Sequence, residues 1–217
     1  WVLSGILGLV LGIVAGYFKD RLPDRLIRGY ALLLASTPAF WIGLLLLMIF
    51  AVWLGWLPFG MNLPAGMTAA EAGIGVRIRH LLLPALTLGL TGVANITLHT
   101  REKMIAIMES DYVLFARARG ESSGYIVKRH ALRNLVLPAI TLQFGSISEI
   151  FGGSVLVEQV FSYPGLGQAA IDAGLGSDVS LLLAITVIST LFVFLGNLVA
   201  NVLYGVIDPQ IRRGRSH

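Results

Sequence analysis

Long stretches without any charged side chain constrain this chain more than any other feature. Residues 1–18, 29–70, 81–100, 134–148 and 179–207 contain no Lys, Arg, Asp or Glu. An α-helix rises about 1.5 Å per residue, so roughly 20 apolar residues cross a hydrocarbon core of about 30 Å. Four of the five runs reach or nearly reach that length. The run from Asn134 does so only if Glu149 lies within the membrane and the helix continues to about Val157. Charged residues make up 13% of the chain, about half the share usual in soluble domains, and hydrophobic residues 56%. The expected fold class is all-α and polytopic. Five spans are expected at about 1–18, 30–54, 80–99, 135–157 and 179–205, in one transmembrane domain covering 1–217.

The connections carry the charge. Of the 16 Lys and Arg residues, fourteen lie in 19–29, 100–134 and the C-terminal tail, the last holding Arg212, Arg213 and Arg215. The other two, Arg77 and Arg79, lie in the 55–79 connection; 158–178 has none. Cytoplasmic loops concentrate Lys and Arg. This split predicts that 19–29, 100–134 and the tail face the cytoplasm, with 55–79 and 158–178 outside. The net charge of +4 is thereby explained by topology, and no nucleic-acid partner is expected. Trp53 and Trp56, and Tyr17, Tyr30 and Tyr204, fall near expected span ends, where amphipathic rings sit well. Gly8, Gly12 and Gly16 repeat a small residue every four positions, a pattern that lets membrane helices approach closely. Pro38, inside the second expected span, predicts a kink. Pro84 and Pro138 are expected in first turns of spans.

No chemistry of its own is evident. Lys19, Lys103 and Lys128 follow Phe18, Glu102 and Val127, so there is no glycine-lysine phosphate cradle. There is no H-E-x-x-H and no G-x-S-x-G. The chain has no cysteine, which removes disulfides and thiolate metal sites. His80, His99, His130 and His217 are too scattered to share a metal. No enzymatic activity, bound cofactor or metal is expected.

The longest charge-rich segment, DYVLFARARGESSGYIVKRHALRNLVLP (111–138), needs a separate explanation. Residues 102–119 read as an amphipathic helix, with Met104, Met108, Tyr112 and Phe115 on one stripe. Gly120 is a natural left-handed stop. Ser122 or Ser123 can cap a second short helix through Tyr125–His130. Ala116 and Ala118 are small residues beside a sharp bend, which lets another surface come near the backbone. Lying on lipid, facing solvent and docking a protein all remain open from these residues alone.

This segment resembles the EAA loop of membrane subunits of binding-protein-dependent ABC importers, in the version found in B-type permeases of dipeptide, oligopeptide and nickel importers. DYVLFARARG (111–120) and RHALRNLVLP (129–138) carry the likeness. STPAFWIGLLLLMIFAVWLGWLP (36–58), TREKM (100–104), VLVEQVFSYPGLG (155–167) and GNLVANVLYGVIDPQIR (196–212) extend it in the same order. The general Glu-Ala-Ala opening is replaced by Leu114-Phe115-Ala116.

The resemblance implies the type I ABC importer permease fold, with six spans in the full chain. One span and a large external segment would then precede residue 1, and the sequence, which opens without Met inside an apolar run, is read as a fragment. It further implies a second homologous permease subunit, two ATP-binding subunits that use ATP and Mg, and an extracytoplasmic substrate-binding protein. The location implied is the inner (plasma) membrane of a bacterium or archaeon. By carry-over, Ala116, Ala118, Gly120, Glu121, Ser122, Ser123 and Tyr125 form the element that couples to an ATPase subunit. Peptides are the first substrate class implied, nickel or a metal chelate the second.

Within the expected spans, Glu149, Gln143, Asn197 and Asn201 are candidates for the translocation path. For Asn197 and Asn201, one turn apart, and for Gln143, interhelical hydrogen bonding is the first expected use and lining the path the second. Glu149, as an intramembrane carboxylate, also motivates a proton-coupled secondary transporter as a competing reading. A membrane scaffold without transport is the third. The turn Pro164–Gly167 is expected outside, as a connection or part of an external gate.

Overall fold

The computed structural model describes residues 1–207 apart from Ala65 and Ala69; the side chains of residues 133, 137, 148–153 and 204–207 lie outside that description. Among the described residues the structure is wholly helical. The helices are α1 (Val2–Tyr17), α2 (Leu22–Ser36), α3 (Ala39–Leu46), α4 (Ile74–Met108), α5 (Asp111–Ala118), α6 (Ser123–Ile126), α7 (Leu132–Gly145), α8 (Ile147–Val160), α9 (Leu166–Leu175) and α10 (Val179–Ile207). Two wider π-helical stretches continue α3 over Leu47–Trp53 and join α6 to α7 over Val127–Ala131.

Two helices are long and apolar enough to cross a membrane alone: Ile74–Met108, and α10 over Val179–Leu203. A third crossing is available if α2 and α3 with its π continuation count as one broken span. The second expected span, 30–54, is therefore not one helix. Pro38 has no N–H to donate, and its ring disfavours helix in the residue before it. Its backbone is extended, at φ −60 and ψ 140, and α3 begins after it. The fourth, 135–157, is likewise divided, with Ser146 ending α7. Pro84 and Pro138 stand inside α4 and α7 rather than in first turns. The third span is longer than expected: 35 residues make a rod of about 52 Å. The connection 158–178 contains a helix of its own, α9.

The chain divides into two compact units. The first comprises residues 1–36 and 92–146 with, among the described residues, 195–207. Its central feature is a seam of α1 glycines. A Cβ added at Gly8 would lie 2.7 Å from the Ile96 side chain, one at Gly12 2.5 Å from Thr100, and one at Gly16 2.5 Å from Met104. Those distances leave no room for a methyl group, so the four-residue small-residue repeat is a packing device, as its spacing suggests. At the end of the seam, Asp24 (1% exposed) receives two hydrogen bonds from Arg101, Nε to Oδ1 at 2.5 Å and Nη2 to Oδ2 at 2.7 Å. The Asp20 N–H adds a third to Oδ2 at 2.8 Å. A buried carboxylate needs this degree of satisfaction. Lys19 donates to Glu109 on the same side, and that carboxylate holds the exposed Lys19 ammonium above its ordinary pKa.

The second unit comprises residues 37–91 and 147–194. Its core gathers Ala51, Leu83, Val157 and Phe161, with Phe50, Leu88 and Tyr163 packed around them. Phe161 is also a backbone anchor: its carbonyl accepts from Met61 N–H at 2.8 Å. Gly60, at φ 156, passes so near that carbonyl that a Cβ would sit 2.0 Å from it. His80 Nδ1 donates to the Gly60 carbonyl at 2.8 Å. In the turn Pro164–Gly167, the Glu158 carboxylate accepts from Gln168 N–H at 2.8 Å, in the first turn of α9. A Cβ at Gly165 would meet the Glu158 carboxylate at 2.3 Å, and one at Gly167 would meet the Val155 side chain at 2.7 Å.

Candidate functional site: the elbow between α4 and α7

The elbow begins where α4 ends. The expected continuous helix over 102–119 is in fact two. Ser110 has an extended backbone (ψ 152), and its hydroxyl donates back to the Ile107 carbonyl at 2.5 Å. This self-bonding is the habit that makes serine a poor helix-interior residue. The break changes the buried face. Met104 is fully buried, whereas Phe115 is 70% exposed and Tyr112 42%. The expected stripe thus splits at Ser110. Val113 and Ala116 take over the inward positions and pack with Ile126, Ile107 and Met108.

The turn after α5 has a complete hydrogen-bond signature. Gly120 lies at φ 84, its N–H donates to Arg117 O at 2.9 Å, and Glu121 N–H reaches back to Ala116 O at 3.1 Å. The two bonds satisfy carbonyls that a helix end leaves bare, and the left-handed residue between them is one that glycine adopts without strain. Nothing approaches the position of a Gly120 Cβ within 4 Å, so its conformation, not crowding, favours glycine here. Ser122 then caps α6, its hydroxyl accepting from Tyr125 N–H at 3.4 Å. Instead of stopping near His130, the helical path runs through the π turn into α7.

Of the residues expected to couple, Ala118, Gly120, Ser122, Ser123 and Tyr125 are exposed together on this elbow, and Glu121 is half-buried. Ala116 is 1% exposed and belongs to the elbow's own small core. Arg129 stacks over the Tyr125 ring at 5.6 Å and donates to its hydroxyl. Arg119 donates to Glu121 at 2.8 Å. Leu114 and Phe115 add apolar surface beside these polar groups. The elbow thus carries aromatic, apolar and cationic groups side by side at its surface. No group of three or more His, Asp or Glu side chains able to hold a metal occurs among the described residues.

Of the translocation-path candidates, Gln143, Asn197 and Asn201 share no hydrogen bond with one another among the described residues. Gln143 is 8% exposed; its amide donates to the Trp1 carbonyl at 2.7 Å, and the Trp1 indole donates to the Gln143 carbonyl at 3.0 Å. It therefore joins α1 to α7. Asn197 and Asn201 are exposed on α10, with no hydrogen-bond partner among the described residues. Glu149 falls in α8, and its side chain lies outside the described residues.

Sequence reasoning missed two polar connections. Asp24 and Arg101 are 77 residues apart, and nothing in either local pattern links them. His130, considered in the sequence only as a metal ligand, instead reaches Glu121 at 3.1 Å. The nine-residue separation across a turn was the only available hint.

Comparisons with known proteins give the family. The chain is 38% identical over 214 residues to the oligopeptide transport system permease protein AppB of Bacillus subtilis (strain 168), covering 97% of this chain and 67% of that protein. It is 37% identical over 207 residues to the glutathione transport system permease protein GsiC of Escherichia coli (strain K12), covering 95% of this chain and 63% of that one. The chain thus spans about two thirds of the length of these curated relatives. The family model for the inner membrane component of binding-protein-dependent transport systems matches residues 8–213, from the glycine seam through the elbow and α10. With nearly its whole length matched, the chain belongs to the binding-protein-dependent transport system inner membrane component family.

Proposed function

We propose that this chain forms half of the translocation pathway of an ATP-driven importer for peptides. The observation that carries the reading is the family match over residues 8–213, joined to two relatives named as permease proteins for oligopeptides and for glutathione. Glutathione is itself a small peptide-like molecule, so peptides come before metal chelates. The partners are a second homologous permease subunit, two ATP-binding subunits and an extracytoplasmic binding protein. The uncharged runs support five spans in this chain, and the 14-to-2 distribution of Lys and Arg supports cytoplasmic placement of 19–29, 100–134 and the tail. The membrane is the inner membrane of a bacterium or archaeon.

The elbow is the coupling element. Its exposed Gly120, Ser122, Ser123 and Tyr125, with half-buried Glu121, present a knob to a groove on an ATPase subunit. Closure of the two ATPase subunits displaces the knob, and the helices flanking it carry the displacement into the membrane. Ala116 contributes by keeping the knob compact. The path candidates Glu149, Gln143, Asn197 and Asn201 have distinct expectations. Gln143 braces α1 against α7, while Asn197 and Asn201 offer amides to a partner helix or the path.

The test is reconstitution with the ATPase and binding-protein partners encoded beside this chain. Labelled short peptides and glutathione should enter vesicles in an ATP-dependent, vanadate-sensitive manner. Gly120→Trp should abolish uptake and release the ATPase. Unchanged uptake and assembly in Gly120→Trp would exclude the elbow as the coupling element. Uptake indifferent to vanadate but collapsed by an uncoupler would favour proton coupling instead.

A further inference from the structure

Glu121 and His130 stand at the two ends of the short path from the Gly120 turn to α7. Glu121 follows the left-handed residue directly. His130 precedes Ala131 and Leu132, where α7 begins. The His130 Nε2–H donates to Glu121 Oε2 at 3.1 Å, while Arg119 Nη2 donates to the other carboxylate oxygen at 2.8 Å. Both oxygens of one carboxylate are thus engaged, one by the tip of the elbow and one by the base of α7. The Tyr112 ring flanks His130 at 6.3 Å, and Asn134 Nδ2 donates to the Tyr112 hydroxyl at 3.2 Å, tying α5 to α7 in parallel.

Magnitude argues against stability as the purpose of this pair. Glu121 is 21% and His130 28% exposed, and a single partly solvated hydrogen bond contributes modestly to folding. Geometry is what the pair supplies. His130 also lies within a π-helical turn, where Leu132 N–H bonds to Val127 O. Such a turn shifts the phase of the residues preceding it, and π turns tend to mark functional positions. Here the shift accompanies a His130 ring turned toward the glycine bend.

We propose that His130 is a positioning residue for coupling: through Glu121 it makes a rigid strut between the elbow tip and α7, so that displacement of the tip moves the span rather than flexing the α6–π segment. This rests on the elbow being the ATPase-docking element, and adds how force leaves it.

The test uses the assembled transporter in vesicles and reads substrate imported per ATP hydrolysed. His130→Leu, which cannot donate, should lower that ratio roughly 3- to 10-fold, as expected when one hydrogen bond of ordinary net strength is lost. ATPase subunits should still co-purify. His130→Gln, which can donate to Glu121, should stay near the unaltered protein. A wild-type ratio in His130→Leu, an equal fall in His130→Gln, or loss of the bound ATPase in His130→Leu would overturn the proposal. The exchange Glu121→His with His130→Glu supplies a second reading. Recovery of the ratio above that of either single variant supports the strut, and no recovery overturns it. Failure of the unaltered chain to bind an ATPase would instead remove the docking reading beneath it.

Discussion

The glycine seam of α1 and the elbow after α5 use the same residue type for opposite ends. In the seam, Gly8, Gly12 and Gly16 have helical backbones, and side chains of α4 fill the space a Cβ would take. At the elbow, Gly120 has empty space around it but a left-handed backbone. One set of glycines brings two helices into contact; the other bends a chain and leaves its outside free. The seam is closed to any partner, whereas the outer face of the elbow is exposed. The difference also separates two kinds of polar contact. The seam ends in a buried, doubly bonded Asp24–Arg101 pair, while the elbow carries half-exposed pairs whose stabilising effect is slight.

Substitutions can sharpen this contrast. The largest effect is expected at the seam's end. Asp24→Ala leaves the Arg101 guanidinium without its buried partner and should destabilise the protein by about 3–5 kcal/mol, read as the fraction surviving heating in detergent. Replacing both, as in Asp24→Leu with Arg101→Met, should recover most of that loss, because apolar substitutes for a buried pair are often tolerated. Next comes Gly12→Ala, whose Cβ would meet Thr100 at 2.5 Å. Overpacking of this kind should cost about 1–3 kcal/mol by the same assay. Gly120→Ala should cost about 1–2 kcal/mol, through backbone strain alone. Smallest is Gly124→Ala, in α6 with nothing within 4 Å of its Cβ, expected to be neutral or to gain up to about 1 kcal/mol. If Gly12→Ala proved as harmless as Gly124→Ala, the seam would not be close-packed.

The sequence made parts of both regions legible. The four-residue glycine spacing announced the seam, and the Gly120 stop and Ser122 cap announced the bend, because each rests on a local rule. Helix breaks were harder to see. The uncharged run 29–70 is long enough for a span, but absence of charge carries no information about helix continuity across Pro38. The stripe through Met104, Met108, Tyr112 and Phe115 looked continuous because periodicity assumes one unbroken helix. Ser110 ends that assumption by bonding its own turn. The helix α9 was hidden for a related reason: its start depends on the Glu158 carboxylate, ten residues before the amide it accepts from. Asp24–Arg101 could not be read at all, since pairing across 77 residues leaves no mark on either local pattern, and Glu121–His130 left only its nine-residue spacing across a turn.

If the elbow is the coupling element, its exposed face is where an ATPase subunit sits. The chain contains no cysteine, so Gly124→Cys places a single thiol on α6, in open space, with no competing site. Its rate of reaction with a membrane-impermeant maleimide can be followed in inside-out vesicles. Rapid labelling of the permease subunits alone, slowed several-fold once the ATPase subunits assemble, is the predicted result. An unchanged rate in the assembled, transport-competent complex would contradict it.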